Sequence, residues 1–301
     1  SAIIYNYYPS VLPWVATHIR YKLWKNNVAS VNIPQIGIIH EITQHVADTA
    51  TNHRTKYVLC VSHLSNSLFD FYITPDPTLL LRNPLVYKTG RLIPRYHNNF
   101  GYPLKPTIGS FGFATPKKGF EKIVQLVQQE FDEADIRFNI PAADFGEDKD
   151  GAKARALAEK CKALIVKPGI RLTVTHDFLD AKTMLDFLAI NTVNMFLYEH
   201  NETSGKGISS AVDNAMAVQR AIAVSDAVMF IHILDVNPSI CIKNNNLKTI
   251  IQNGFAPLQV LYEEWSAENL LWEYERIMDA VFGGLRSKAK RRTGVLGTLR
   301  S

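Results

Sequence analysis

From Thr107 to Val218 the sequence repeats one unit four times, a short apolar run of strand length followed by a stretch with helical periodicity. The pairs are 107–110 with 117–131, 135–141 with 151–166, 170–175 with 181–189, and 193–198 with 207–218; a fifth strand, 221–225, closes the series. Strands alternating with helices of this length join by right-handed crossovers, so they predict a parallel sheet covered on both faces. Residues 107–257 are thus expected to form a Rossmann-like domain. From 248 to 282 the pattern is helical, interrupted near Gly254 and Pro257.

Residues 1–95 carry a more ragged α/β pattern. Runs 2–5, 35–40, 57–62 and 69–74 have strand length and composition. Between the first two, Val15, Ile19, Leu23 and Trp24 fall at helical spacing behind Pro13. Three prolines and a glycine break the periodicity just before 107, so residues 96–106 are expected to be a linker. The run begins at Ser1 inside a strand-like segment, without a methionine or a signal-peptide pattern, as a fragment cut from a longer chain would.

Charge narrows the partners. The chain holds 33 Lys+Arg against 28 Asp+Glu, but Arg286, Lys288, Lys290, Arg291, Arg292 and Arg300 crowd into residues 283–301, which contain no acid. Setting those six aside leaves 27 basic against 28 acidic residues, which argues against a nucleic-acid face on the body of the protein. The basic tail reads first as a disordered, solvated extension, and second as a contact for an anionic membrane surface. Three scattered cysteines, Cys60, Cys161 and Cys241, suggest neither a disulfide framework nor a zinc site, and point to a reducing, cytoplasmic setting. No apolar run approaches the roughly 20 residues needed to cross a bilayer.

Two turns carry the candidate chemistry. Gly109, Ser110, Phe111, Gly112 and Phe113 follow the first strand of the repeat, with Lys118 and Gly119 opening its helix. A glycine turn at a strand's carboxyl end lets backbone N–H groups approach an anion, and the helix adds about half a positive charge at its N-terminus. The second turn runs from Tyr198 through Lys206, Gly207, Ile208, Ser209 and Ser210 into the helix bearing Asp213. Each has a plainer reading as an ordinary strand-to-helix connection with solvated lysines and serine caps. Asp177 and Phe178, just past the third strand, are candidates for the wall of a nucleotide-base pocket.

The ordered set of Gly109-Ser110, Lys118-Gly119, Gly207-Ile208-Ser209-Ser210, Asn214-Ala215-Met216-Ala217 and Arg220 to Ser225 resembles the donor half of GT-B glycosyltransferases, most closely the large group called family 4. The resemblance covers about residues 105–282. It implies two Rossmann-like domains facing a cleft, the N-terminal one here reduced or truncated. It also implies a metal-independent enzyme without a cofactor that transfers sugar from a nucleotide-sugar donor to a glycan or lipid-linked acceptor, with the membrane periphery as a second setting. By resemblance, Lys118 neutralises the donor diphosphate, Gly207 to Ser210 offer it N–H groups, and Asp213 binds donor hydroxyls. His40, ending a strand of the first domain, would face the transferred sugar as the catalytic residue. Segment 258–282 would brace the first domain, burying Trp265 and Trp272. Two departures stand out, because the family's paired glutamates fall on Lys206 and Asn214. They leave a non-catalytic binding module and a nucleotide-sugar epimerase open as alternatives.

Overall fold

The computed structural model describes residues 2–7, 34–40, 43–51, 69–142, 148, 150–199 and 208–297, with side chains to 283. The expected helix within 12–25, the strand at 57–62, Cys60, and the site residues Lys206 and Gly207 lie outside the described residues. The chain divides into two compact units, the first comprising Ser1–Leu92 and Ser266–Ser301 and the second Ile93–Thr203 and Ile208–Trp265.

In the first unit, β1 (Ile3–Tyr7), β2 (Gln35–Ile39), β3 (Phe71–Thr74) and β4 (Val86–Lys88) pair in sequence order, all parallel. Side-chain alternation along β2 and β3 divides the core between the two faces. Ile39, Phe69 and Tyr72 pack with Ala47 of the short helix α1 (Gln44–Thr49), whereas Ile36 and Ile73 face the opposite way. β4 was not foreseen, since three residues behind Pro84 are too few for alternation to register.

The second unit follows the predicted rhythm. β5 (Thr107–Phe111), α2 (Phe120–Glu130), β6 (Ala134–Asn139), α3 (Ala152–Ala163), β7 (Ile170–Thr175), α4 (Ala181–Ala189), β8 (Val193–Phe196), α5 (Ser210–Ala217) and β9 (Ala221–Val224) alternate strictly. The strands form one parallel sheet in the order β7-β6-β5-β8-β9. Helix α2 shows why its segment folds this way. Phe120, Ile123, Val124 and Val127 lie on one buried stripe, with Glu121, Lys122, Gln125 and Gln129 exposed. The short helices α6 (Ile231–Leu234), α7 (Leu247–Asn253) and α8 (Gln259–Glu264) complete the unit.

Three expectations need correction. Residues 96–106 do not hang free as a linker but dock on the second unit. Buried Arg220 donates from Nη2 to the carbonyls of Phe100 (2.6 Å) and Gly101 (2.8 Å) and stacks over Tyr102, while Tyr96 Oη donates to Asp186 (2.7 Å). The segment 258–282 is divided between the units: α8 belongs to the second, and α9 (Ala267–Gly297) to the first. There Ile277 and Val281, not the tryptophans, pack on Ile36 and Ile73, and Glu273 accepts from Gly90 N. Trp265 is buried in the second unit's core against His232, and Trp272 is 60% exposed. Finally, the backbone from 283 onward continues α9 to Gly297 instead of fraying at once, because Leu, Arg, Lys and Ala there are good helix formers.

Candidate functional site

Strand order locates the crevice. The chain winds from β5 outward through β6 to β7, then returns to add β8 and β9 on the other side of β5. The winding reverses between β5 and β8, and in open parallel sheets ligands bind outside the strand carboxyl ends at such a reversal. Both turns singled out above leave from those two ends.

The helix termini distinguish this point from the rest of the sheet edge. At α3, Asp148 accepts from Lys153 N (2.8 Å) and Ala154 N (3.0 Å); at α4, Asp180 accepts from Thr183 N (2.7 Å). An internal carboxylate therefore satisfies the first turn of each outer helix. Helix α2 starts at Gly119 and α5 at Ser209, and among the described residues neither has a side-chain cap. The two helices flanking the reversal keep first-turn N–H groups and their positive ends uncapped.

The turn after β5 is tightly held. Gly112 lies at φ 147° with no atom within 4 Å of where a side chain would start, and its N–H donates to Asn139 O. Lys117 (φ 67°) and Gly119 (φ 73°) both lie in the left-handed region on either side of Lys118. A Cβ on Gly119 would strike the carbonyl of Leu197, and Lys117 O accepts from Glu199 N (2.9 Å). The first turn is thereby pressed against the exit of β8. Lys118 Nζ sits 3.9 Å from the centre of the Tyr198 ring, and Lys122 pairs with Glu199 at 3.5 Å.

Several expected residues occupy other roles. Gly109 and Ser110 are not in the turn: β5 runs to Phe111, and its ladder with β6 engages the backbone from Thr107 to Phe111. Gly109 lacks a side chain because the Asn191 amide fills that space, where Asn191 donates to Asn194 Oδ1 (2.9 Å) and accepts from Arg137 (3.2 Å). Ser110 is buried, and the Phe111 ring packs edge-on against Phe196. Ser209 N donates to Met229 O (3.1 Å), so this N–H is not open to an anion, whereas Ser210 is exposed at the first turn of α5 and Ile208 is half-buried just before it. Asp213 is buried one turn on.

On the β6 side the structure brings Gly112, Phe113, Asp177 and Phe178 together. The rings of Phe113 and Phe178 lie 6.4 Å apart, and Phe178 is 74% exposed. Asn139, the last residue of β6 and fully buried, joins the two loops by accepting from Gly112 at its carbonyl and donating Nδ2 to Thr175 Oγ1 (3.0 Å) and Asp177 O (3.1 Å); its Oδ1 has no partner among the described residues. Sequence reading missed Asn139, whose only signal was a polar residue ending an apolar strand. His40 lies at the carboxyl end of β2, with Nε2 2.6 Å from Asn6 Oδ1 of β1. No group of three or more His, Cys, Asp or Glu side chains suited to a metal occurs among the described residues.

The sequence matches no protein-family model and no curated protein. Solved structures do match: trehalose-6-phosphate synthase OtsA, with a TM-score of 0.59 and 12% identity, covers 93% of this chain and 72% of its own. Sucrose-phosphate synthase of Thermosynechococcus elongatus gives a TM-score of 0.56 at 14% identity, covering 93% and 74%. The chain has the GT-B glycosyltransferase fold. A further GT-B structure, the Escherichia coli trehalose-6-phosphate protein bound with UDP-2-fluoroglucose, aligns with a TM-score of 0.58 at 11% identity over 93% of this chain and 73% of that one.

Proposed function

We propose that the protein is a glycosyltransferase that moves a sugar from a nucleotide-sugar donor to a glycan or lipid-linked acceptor. One observation carries the reading: among the described residues carboxylates bond first-turn N–H groups of α3 and α4, whereas α2 and α5 beside the reversal have no side-chain cap, and Lys118, just before α2, holds its ammonium over Tyr198 at the exit of β8. A pyrophosphate is the ligand that two neighbouring positive helix ends and an ammonium suit. The UDP-2-fluoroglucose on the E. coli GT-B protein supports the same donor class.

In this reading the departing nucleoside diphosphate gains negative charge as the glycosidic bond breaks. Preformed N–H groups of the first turns of α2 and α5 and the Lys118 cation stabilise that charge most in the transition state, which is where a gain in binding accelerates the step. Neither a metal ion nor a cofactor is invoked. The paired rings of Phe113 and Phe178 would flank the base, with Asp177 beside them, and Asp213 would serve the sugar. The cationic stretch 283–301 would add contact with an anionic membrane surface. Asn214, at the position of a family glutamate, favours a second reading in which the crevice binds the nucleotide without transfer.

The test is a panel of nucleotide-sugars scored for thermal stabilisation and for turnover. Lys118→Ala is expected to weaken nucleoside diphosphate binding roughly ten- to hundredfold, the worth of a hydrogen bond between charged groups. Absence of any stabilisation or turnover, with Lys118→Ala indistinguishable from wild type, refutes the proposal; diphosphate binding without consumption of any donor selects the second reading.

A further inference from the structure

The resting place of Lys118 is an aromatic face. Among the described residues its ammonium makes no ion pair and sits 3.9 Å from the Tyr198 ring centre, while the nearest chain carboxylate in sequence to that ring, Glu199, is taken by Lys122 at 3.5 Å. The difference matters for a phosphate site. A carboxylate would neutralise the ammonium and compete with an incoming anion, whereas the ring's negative face holds the cation and leaves its charge available.

Tyr198 is well built for such a task. It is 4% exposed, and its ring packs against Phe230 at 4.9 Å and Phe196 at 6.4 Å. Its carbonyl accepts from Ser225 Oγ at 2.6 Å, which fixes the backbone at the exit of β8. On the other side, Lys118 is flanked by Lys117 and Gly119, both in the left-handed region, so its Cα has little freedom. A lysine otherwise loses much of its rotamer freedom when its head is immobilised.

We propose that Tyr198 is a positioning residue: its ring holds the Lys118 ammonium at the mouth of the crevice before and after a pyrophosphate arrives, so that binding need not order that side chain. This rests on the proposed function for the identity of the anion. The ring contributes through Lys118 alone, and that distinguishes it from a residue that simply fills the core.

The full chain, reductively methylated with 13C-formaldehyde, gives a readout that needs no ligand. The Lys118 methyl resonance, identified by its loss in Lys118→Met, is expected to be shifted upfield by the ring in wild type and in Tyr198→Phe, and to move to the position of solvated lysines in Tyr198→Leu. With UDP as probe in calorimetry, Tyr198→Leu is expected to weaken binding roughly three- to tenfold and Tyr198→Phe less than about twofold, the range of a partly desolvated cation–π contact. In a Lys118→Met background, Tyr198→Leu is expected to change UDP affinity no further. An unshifted Lys118 resonance, or an equal loss from Tyr198→Leu in both backgrounds, overturns the inference and leaves the site intact. A wild type that shows the upfield resonance yet binds no UDP overturns the pyrophosphate reading, and with it the handover to that anion.

Discussion

Gly119→Ala is the substitution on which the geometry of the site bears most directly. Two costs add. At φ 73° an alanine gives up about 1–2 kcal/mol relative to a right-handed conformation. Its Cβ would also stand 2.7 Å from the Leu197 carbonyl carbon and closer still to the oxygen, below the 3.0 Å that real Cβ atoms respect, so the strand exit must retreat by more than about 1 Å before the oxygen reaches an ordinary 3.4 Å contact. Overpacking of that kind costs about 1–3 kcal/mol, and the Glu199 N–H bond to Lys117 O lies in the path of the shift. The sum is about 2–5 kcal/mol of destabilisation, localised where β5 and β8 meet. Urea unfolding followed by far-UV circular dichroism, together with hydrogen exchange of the β5 and β8 amides, measures it. Gly112→Ala is the control, since its φ of 147° carries a backbone penalty but no atom lies within 4 Å. A Gly119→Ala chain within about 0.5 kcal/mol of wild type would refute the claim that the two turns are pressed together.

Two further outcomes are expected. Arg220→Met removes donors to Ala189, Phe100 and Gly101 and the stack on Tyr102, so limited proteolysis within 98–104 should accelerate; an unchanged cleavage pattern would contradict the docking of that segment. Burial, with a smaller contribution from Glu121, pushes the Cys161 thiol up to about 12. The unfolded thiol ionises near its ordinary value of 9.0, so this group's contribution to stability is whole below that pH and is lost as pH rises toward 12. Iodoacetamide at pH 9 should therefore label Cys161 no faster than the chain unfolds, and rapid labelling in the native state would count against it.

The alternation of strand and helix in the second unit was legible because β5, β8 and β9 are short apolar runs buried on both faces while the helices carry one apolar stripe, so the period separates them. The two candidate turns were legible as types, glycine and lysine after an apolar run, but not in detail. Whether Gly109 belongs to a turn depends on how far β5 pairs with β6, and that is set by residues 28 positions on, not by local composition. The same holds for Asn139, whose importance comes from loops contributed by β5 and β7. Strand order, which places the crevice, is a property of long-range pairing on which local sequence is silent. In the first unit, β4 escaped notice for its brevity, and the bracing face of α9 could not be told from its exposed face until Ile36 and Ile73 were seen to claim Ile277 and Val281.

The reversal of winding beside β5 has a consequence for how the protein matures. Ile108 and Gly109 pair with Val193 and Asn194, 85 residues further along the chain, so the crevice is absent until that long-range pairing has formed. A ligand that binds there recognises the finished domain alone, and by mass action each tenfold excess over its dissociation constant deepens the native well by about 1.4 kcal/mol. Occupancy of the crevice would then serve as a reporter of completed folding as much as of substrate supply.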